Sequence, residues 1–345
     1  MNLRPYPADR PDIGGPGTNV IRRTLEISQQ PVHLTVRDGQ LVLLPRDHGV
    51  SPARTRTAER LASVPAEDVG LVLVDQPATT YSHAALTTLL EHDAAVVVCG
   101  RNHLPAGLLL PFGEHSQVVW RLRAQVAARR PLRKRLWRQI VQAKIRAQAR
   151  NLARGTAVRT RLLALARTVR SGDPENAEAQ AARAYWGVLF TGVGWADATP
   201  FRRDPDGPPP NGLLNYGYAV LRAAVARAVV GAGLLPAIGL RHANRSNAFC
   251  LADDLVEPLR PLVDRAAREL WAAGEVEVTP AAKRVLLELL TAEVECGGLR
   301  GPLMVALHRY AASLVECLEG QAQALRIPVA VDEPELSAGE ADPES

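Results

Sequence analysis

The first hundred residues show the hydrophobic pattern of β-strands. The segments 33–45 and 69–76 are rich in Val, Leu and Thr. Within the first segment, the pair Asp38-Gly39 favours a tight hairpin turn. These features predict a small N-terminal β-rich domain over residues 1–105.

Three further segments complete this domain and lead out of it. The segment 84–93 has the apolar spacing of a short helix, and the apolar run 94–100 after it indicates a buried strand. The stretch 101–113 holds two prolines and two glycines. Because both residue types interrupt regular structure, this stretch is typical of a connector between domains.

After the connector, apolar residues recur at three- and four-residue spacing, as in amphipathic helices. In the segment 131–152, for example, Leu132, Leu136, Ile140 and Ala143 line one face. Helices are predicted over residues 118–130, 131–152, 157–170, 178–190, 215–233, 254–275, 279–295 and 302–323.

The chain is therefore predicted to be an α+β multidomain protein with a larger, all-α domain over residues 106–330. The segment 198–212 holds five prolines and is predicted to be an exposed loop. The tail at 331–345 carries six acidic residues and no basic ones, so we expect it to be disordered.

Charge is distributed very unevenly along the chain. The segment 115–172 contains 16 Lys and Arg residues and no Asp or Glu. All 36 acidic residues and the other 25 basic residues lie elsewhere, which gives the rest of the chain a net charge of −11. A positive surface of this kind attracts a polyanion such as nucleic acid. A solvated, arginine-rich helical surface without a ligand is the alternative.

Composition makes several classes of protein unlikely candidates. The longest apolar runs are far too short to cross a bilayer, and the polar N-terminus lacks the apolar stretch of a signal peptide. The four cysteines are scattered without C-x-x-C spacing, which argues against a zinc ribbon. We expect a cytoplasmic protein with reduced thiols and no membrane partner.

One candidate for chemistry is Glu178, which shares the apolar face of its predicted helix with Ala181 and Tyr185. Asp173-Pro174 forms a plausible N-cap and first turn for that helix. A carboxylate on a face that packs inward costs several kcal/mol unless it is paired. Either a metal ion or an arginine satisfies this requirement.

A second set of candidates lies within sixteen residues. His242 is in a polar stretch, and Asp254 and Glu257 are three apart, so they share one side of a helix. Two carboxylates and an imidazole can hold a divalent cation against a phosphodiester. The alternatives are an ordinary surface histidine and a capping box in which Asp254 is the N-cap and Glu257 reaches back.

Four motifs in a fixed order give these residues a context. They are L-W-x-x-I-V-x-x-K-I-x-x-Q at 136–148, E-x-x-A-A-R-x-Y-W at 178–186, N-Y-G-Y at 215–218, and H-x-N-x-x-N-x-F-x-L-A-x-D-L-x-E-P-x-R-P-L-V-D at 242–264. Together they resemble the CRISPR-associated integrase family, the catalytic subunit of the complex that inserts new spacers into CRISPR arrays. The resemblance covers about residues 80–325. The lead-in DP-x-N-x-E is most similar to the branch found with type II systems.

The resemblance implies that Glu178, His242 and Glu257 ligate a divalent ion, Mg²⁺ or Mn²⁺. Asp254 matches a nearby family acid, whose role as a direct ligand or as a neighbour of one stays open. The implied reaction is a transesterification, in which a prespacer 3′-hydroxyl attacks a phosphodiester at the end of a CRISPR repeat. The sequence departs from the family at Ala179-Gln180, where relatives often carry Gly-His, and at Cys250, where Asn is common.

The implied partners are double-stranded DNA, a second copy of the chain bound chiefly through the β domain, and a small CRISPR-associated subunit. An effector nuclease is a further candidate partner. The side chains predicted to contact DNA phosphates are Arg133, Lys134, Arg135, Arg138, Lys144, Arg146 and Arg245. Two other functions stay open: a structure-selective endonuclease with the same metal site, and a non-catalytic nucleic-acid scaffold.

Overall fold

The computed structural model describes residues 22–46, 60–101, 103, 105–111, 117–193 and 201–331. Apart from Val331, the predicted acidic tail lies outside the described residues. The N-terminal part contains one α-helix, α1 (His83–Glu91), a 3₁₀ turn at Ala66–Asp68, and eight strands in the described ranges. The strands are β1 (Arg23–Ile27), β2 (Val32–Arg37), β3 (Gln40–Pro45), β4 (Ala62–Pro65), β5 (Val69–Val74), β6 (Thr80–Tyr81), β7 (Ala95–Cys99) and β8 (Pro105–Leu109).

These strands form two four-stranded sheets, with the orders β4-β3-β2-β6 and β1-β5-β7-β8. The predicted hairpin joins β2 and β3, with Arg37 paired to Gln40. Asp38 and Gly39 both have positive φ angles, 51° and 74°. This is the backbone conformation that a two-residue hairpin turn requires, so the Asp-Gly signal is confirmed.

The rest of the described chain is mainly helical, as predicted. The helices are α2 (Val118–Ala127), α3 (Arg130–Arg150), α4 (Ala157–Thr168), α5 (Ala177–Leu189), α6 (Asn211–Gly231), α7 (Cys250–Val256), α8 (Arg260–Ala272), α9 (Pro280–Glu288) and α10 (Leu303–Leu318). A single 3₁₀ turn at Glu257–Leu259 separates α7 from α8. The predicted helix over 254–275 is therefore two helices with a turn between them.

The helical part also contains a small sheet of order β10-β9-β11, which the prediction lacks. Its strands are β9 (Glu293–Cys296), β10 (Leu299–Pro302) and β11 (Val329–Ala330). The predicted helix over 279–295 ends at Glu288 instead. Beyond it, the Gly297-Gly298 turn, whose two residues have φ angles of 63° and 79°, closes the hairpin of β9 and β10.

The apolar core continues from the sheet into the helices. Leu71, Leu73 and Val97, on one face of β5 and β7, belong to the same core as the buried helix α6. The opposite face, with Val72 and Val96, packs on the smaller N-terminal core. A division of the chain at residue 105 stays a prediction.

A buried ion pair joins the two parts of the protein. Lys283 on α9 binds the carboxylate of Asp75, just after β5, and both side chains are almost fully buried. His103 donates a second hydrogen bond, from Nδ1 to Oδ1 of Asp75, at 3.0 Å. The connector region thus folds back onto the sheet, and its residues 105–109 form β8, an edge strand paired with β7.

Helix α6 is both long and apolar. It is the one described helix that is long and apolar enough to cross a bilayer. However, 72% of its apolar window is buried inside the protein, as expected for the central helix of a core. Gly217 in this helix lies so close to α8 that a Cβ atom there would be 2.4 Å from Cγ1 of Val263. The N-Y-G-Y glycine therefore permits close packing of α6 on α8.

Candidate active site

Glu178 lies in the first turn of α5, close to the helix start. The carboxylate of Asp173 accepts hydrogen bonds from the backbone N–H groups of Ala177 at 2.9 Å and Glu178 at 3.0 Å. The N-cap position itself is occupied by Asn176, with a left-handed φ of 54°. The prediction of Asp173 as N-cap was wrong in position, although its side chain does satisfy the free N–H groups of this helix end.

Lys144 connects two of the predicted ligands. Its Nζ atom, on α3, lies 2.6 Å from Oε1 of Glu178 and 2.5 Å from Oε2 of Glu257. All three side chains are largely buried, with exposed fractions of 12%, 24% and 6% respectively. Two carboxylates that are 79 positions apart in sequence thus lie around one positive charge.

The electrostatics of this cluster favour ionised groups. Burial alone would raise the pKa of Glu257, but the charges of Lys144 and Arg260 outweigh burial and hold that pKa below its ordinary value. Burial would likewise lower the pKa of Lys144, and the two carboxylates raise it instead. Arg260 supports this state, since its Nη2 atom lies 3.1 Å from Oε1 of Glu257. The Glu257 carboxylate and the Lys144 ammonium are therefore both charged in this cluster.

His242 is held by Asp254. Its Nδ1 atom lies 2.7 Å from Oδ1 of Asp254, which is fully buried. The bond to Asp254 outweighs burial and raises the pKa of His242. The indole of Trp137 meets the imidazole edge-on, with ring centroids 5.9 Å apart. Because Nδ1 is bound to Asp254, the other ring nitrogen is the one that can serve as a ligand.

Asp254 also fixes the backbone before His242. Its Oδ2 atom accepts hydrogen bonds from the N–H groups of Leu240 at 2.5 Å and Arg241 at 3.0 Å, and its Oδ1 atom accepts a third from His242 N–H at 3.2 Å. The capping-box alternative was therefore wrong, because Asp254 lies inside α7 and binds a loop more than ten residues earlier. Both oxygens of Asp254 are thus hydrogen-bonded to the loop that carries His242, and whether Asp254 also ligates a metal stays a prediction.

The loop before His242 is packed tightly against this carboxylate. A Cβ atom at Gly239 would lie 2.5 Å from the carbonyl oxygen of His242 and 2.7 Å from Oδ2 of Asp254. Arg133 on α3 donates to the carbonyl oxygens of Gly239 at 2.9 Å and Leu240 at 3.1 Å. This predicted DNA contact is therefore engaged in holding the His242 loop.

The other predicted DNA contacts differ in exposure. Lys134, Arg146 and Arg245 are exposed, whereas Arg135 and Arg138 are half-buried. Lys144 is the exception, because it lies between Glu178 and Glu257. A part of the basic segment is thus structural, and the exposed remainder is what a polyanion can reach.

The side chains of this site can be compared with the ligands that a divalent metal ion requires. Across the described ranges, no three His, Cys, Asp or Glu side chains converge closely enough to form a metal centre. Glu178 and Glu257 nevertheless meet around one ammonium group, which is a cation at the position a metal would take. The His242–Asp254 pair is the arrangement that usually orients a metal-binding imidazole. A divalent cation bound by Glu178 and Glu257 would have to replace the Lys144 ammonium.

A polar network behind the site was missed by the sequence analysis. The hydroxyl groups of Tyr218 and Tyr185 donate to the buried carboxylate of Asp264. Arg260 lies over the ring of Tyr218, 4.9 Å from its centroid, and also binds Glu257. Tyr218 is the second tyrosine of N-Y-G-Y, and Arg260 and Asp264 lie in the R-P-L-V-D end of the last motif. Their positions in these motifs were the signal that the sequence offered for the network.

Asp264 gives a pH-dependent prediction. Burial raises its pKa from an ordinary 3.8 to about 7, so the folded state binds this proton more tightly than the unfolded state. The folded protein therefore loses stability as pH rises from about 4 to about 7. Asp264→Asn should remove this loss. Its free energy of unfolding should therefore rise by about 3 kcal/mol relative to that of wild type between pH 5 and pH 8.

Urea unfolding at the two pH values measures this effect. Asp206→Asn, which changes an exposed carboxylate, serves as the control and should behave as wild type at both. Equal pH dependence of the wild-type and Asp264→Asn proteins would contradict the prediction.

Asp254 gives a second prediction. Asp254→Asn keeps one acceptor oxygen but places an NH₂ group among N–H donors, so the loop at 240–242 should loosen. Hydrogen exchange of the Leu240 and Arg241 amides should accelerate, and affinity for Mn²⁺ should fall about 10–100-fold. Asp253→Asn is the control, since that carboxylate binds Arg222 instead. Unchanged amide exchange would rule out the positioning role.

Comparison with known proteins places this geometry in a family. The family profile described as "CRISPR associated protein Cas1" matches residues 25–289. The chain belongs to the Cas1 family. The motif-based resemblance is thereby confirmed, and the assignment to the branch of type II systems stays a prediction.

Individual relatives agree with this assignment. The chain is 40% identical over 232 residues to a CRISPR-associated endonuclease Cas1 from Neisseria meningitidis serogroup C, covering 66% of this chain and 74% of that protein. It is 32% identical over 267 residues to a CRISPR-associated endonuclease Cas1 from Pyrobaculum aerophilum, covering 74% and 89%.

Solved structures share the fold. A Cas1 protein from Thermotoga maritima has a TM-score of 0.66 at 16% identity, over 88% of this chain and 99% of that one. A casposase bound to its integration product has a TM-score of 0.70 at 19% identity, over 93% and 96%. A Cas6-RT-Cas1–Cas2 complex has a TM-score of 0.67 at 19% identity, over 89% of this chain and 36% of that one. The β-then-α architecture predicted from the sequence is the architecture of this family.

Proposed function

We propose that this Cas1 family member is a metal-dependent DNA integrase of CRISPR adaptation. The observation that carries the proposal is the convergence of Glu178 and Glu257 on one cation, beside a histidine that Asp254 orients. Its relatives are named as CRISPR-associated endonucleases, and the casposase of similar fold was solved with an integration product. An acidic site next to a basic surface suits chemistry on a phosphodiester.

In this proposal Glu178, His242 and Glu257 hold Mg²⁺ or Mn²⁺. The bound ion supplies Lewis-acid activation of a phosphodiester and stabilises charge on the leaving 3′-oxygen. The imidazole in this set favours Mn²⁺ at least as much as Mg²⁺, which prefers oxygen ligands. Asp254 keeps the imidazole in one orientation and one tautomer.

The other residues of the site have supporting roles. Arg260 neutralises Glu257 from the side opposite Lys144 and is itself fixed over Tyr218. The exposed bases Lys134, Arg146 and Arg245 bind DNA phosphates without reading sequence. A prespacer 3′-hydroxyl then attacks the phosphodiester at the repeat end, and one P–O bond forms as another breaks. No covalent protein intermediate is needed.

The partners follow from the same proposal. They are the prespacer and repeat DNA, a second copy of the chain joined chiefly through the β domain, and the small CRISPR-associated subunit. A Cas1–Cas2 assembly is among the solved structures of similar fold, which supports the last of these. The effector nuclease and the cytoplasmic location stay predictions.

A strand-transfer assay tests the proposal against its two alternatives. It combines a short duplex with free 3′-hydroxyls, a supercoiled plasmid carrying a CRISPR repeat, and Mn²⁺, with and without the small partner subunit. Covalent joining of the duplex to the plasmid is expected. Nicking without joining would favour the structure-selective endonuclease, and binding without chemistry in any condition would favour the scaffold.

A further inference from the structure

The loop that carries His242 is held in place by side chains of other elements. It runs from the end of α6 at Gly231 to the start of α7 at Cys250, and residues 232–249, all of them described, form no helix or strand. Its buried backbone groups therefore need partners from outside the loop. Since the side chain of His242 is 45% exposed, packing does not surround it, and its position depends on the backbone of this loop.

Gln125 on α2 makes three hydrogen bonds to this loop. Its Nε2 atom donates to the carbonyl oxygens of Leu235 and Ile238, both at 2.9 Å. Its Oε1 atom accepts from the N–H group of Leu235 at 2.9 Å. The side chain is buried, with an exposed fraction of 6%. Because both donors and one acceptor position of the carboxamide are used, the side chain has one defined orientation.

This role of Gln125 differs from that of its neighbour on α2. Arg121, one turn earlier, donates from Nη1 to the carbonyl oxygen of Ala232 at 2.9 Å. Ala232 is the C-cap of α6, so Arg121 satisfies a free carbonyl group of a helix end. Gln125 instead binds the chain beyond the helix, where it leads to His242.

Three side chains hold successive parts of the loop. Gln125 binds the loop as far as Ile238. Arg133 binds the carbonyl oxygens of the next two residues, and Asp254 binds the N–H groups from there to His242. The backbone between Gln125 and the imidazole is therefore held at every residue.

The loop also has little room to move. A cavity of about 10 Å³ lies between the loop, α2 and α10, with Gln125, Gly239 and Leu314 in its lining. This is about the volume that a single water molecule requires. Towards Asp254, the loop is so close that a Cβ atom at Gly239 would not fit. A shift at residue 238 would therefore be passed along the chain to His242 instead of being absorbed on the way.

We propose that Gln125 is a positioning residue for His242. Its carboxamide fixes the path of the loop at residues 235–238, and through the loop it fixes the backbone from which the imidazole reaches a metal ion. The part of this inference that concerns the ion rests on the proposed integrase function. Gln125 precedes the first of the four sequence motifs, so its place in the site follows from its contacts alone.

A purely structural role of Gln125 leads to a different expectation. If the side chain only satisfied the buried backbone of residues 235–238, its loss would loosen those residues and no others. A positioning residue also controls the N–H groups of Leu240 and Arg241, which donate to Asp254 rather than to Gln125. Hydrogen exchange at these two amides therefore separates the two roles.

The test uses Gln125→Met, which keeps the length of the side chain and removes its three hydrogen bonds. In EDTA, exchange of the Leu240 and Arg241 amides should be about tenfold faster than in wild type. Isothermal titration should show an affinity for Mn²⁺ that is lower by about tenfold, as for other groups that orient a metal ligand. DNA affinity should stay at the wild-type value, because the side chain is buried.

Gln139→Met is the matched control. Gln139 on α3 also holds a backbone segment through its carboxamide. It donates to the carbonyl oxygen of Gln323 at 3.1 Å and accepts from the N–H group of Leu325 at 2.8 Å. Its loss should leave both the exchange at Leu240 and the affinity for Mn²⁺ at their wild-type values.

Gln125→Glu keeps the test decisive if the methionine variant does not fold. It has the size of glutamine and an acceptor for the N–H group of Leu235, but it lacks both donors. It should therefore also accelerate exchange at Leu240 and Arg241.

Two results would overturn the proposal. One is faster exchange at Leu235 alone in the Gln125 variants. The other is unchanged Mn²⁺ affinity in a variant whose Leu240 and Arg241 amides exchange faster, because the imidazole would then not follow its backbone. The exchange measurement needs no metal, so a wild-type protein that binds no Mn²⁺ while the exchange effect is present would refute only the proposed function.

Discussion

Glu178→Gln should abolish strand joining while the protein still binds DNA. The substitution keeps the size of the side chain but removes one of the two negative charges that meet at Lys144. In the proposed mechanism a metal ion held here would stabilise the transition state by several kcal/mol, so we expect joining to fall by at least ~10³-fold. The joining rate is read from the strand-transfer assay, and DNA affinity from fluorescence anisotropy.

The control for this variant is Glu175→Gln. Glu175 precedes the same helix, but it is exposed and pairs with Arg170 on the surface. It should join DNA at the wild-type rate. If Glu178→Gln retains joining within about tenfold of wild type, Glu178 does not hold the ion, and the proposed ligand set is wrong.

The sequence predicted those parts of the fold that depend on local patterns. The Asp38-Gly39 turn was found because its two positive φ angles suit only a few residue types. The helices α3, α5 and α10 follow from apolar spacing alone. The hairpin of β9 and β10 was missed because its strands are four residues long, shorter than the window in which periodicity is measured.

Tertiary contacts account for the other misses in the fold. The proline-rich segment 198–212 was predicted to be an exposed loop, and residues 202–209 are exposed or half-buried, yet Phe201 is buried and packs against Phe190 with ring centroids 4.7 Å apart. Pro210 is buried at the start of α6. Proline content indicates that a segment is irregular, but burial depends on what the rest of the chain places beside it.

In the candidate site, the sequence identified the charged residues but not their pairing. Lys144 was assigned to DNA because it lies in a basic segment, whereas the structure places its ammonium between two carboxylates from other helices. Arg133 was assigned to DNA for the same reason and binds backbone carbonyls instead. The net charge of a segment predicts the charge of the partner that its surface attracts. It does not show which of its side chains are paired with opposite charges inside the folded protein.

Lys144→Met should destabilise the metal-free protein and strengthen its response to metal. The substitution leaves the carboxylates of Glu178 and Glu257 facing each other without the ammonium between them. Removal of one partner from a buried ion pair typically costs about 3–5 kcal/mol. In EDTA, urea unfolding should therefore show a loss of this size.

Mn²⁺ should recover more stability in Lys144→Met than in wild type. In wild type an added ion has to replace the ammonium, whereas in the variant the two carboxylates are already without a counter-charge. If the variant binds Mn²⁺ about a hundredfold more tightly, a saturating concentration returns about 2.7 kcal/mol more to it than to wild type. Isothermal titration measures the affinity, and urea unfolding with Mn²⁺ measures the recovery.

Lys134→Met is the matched control, because Lys134 is an exposed lysine on the same helix. It should unfold as wild type does in EDTA and respond equally to Mn²⁺. Wild-type stability of Lys144→Met in EDTA would show that the ammonium does not neutralise the pair. If instead the variant is destabilised and Mn²⁺ restores no more stability to it than to wild type, the two carboxylates do not form the metal site. At a metal site, removal of the competing Lys144 ammonium would have to appear as tighter binding of Mn²⁺.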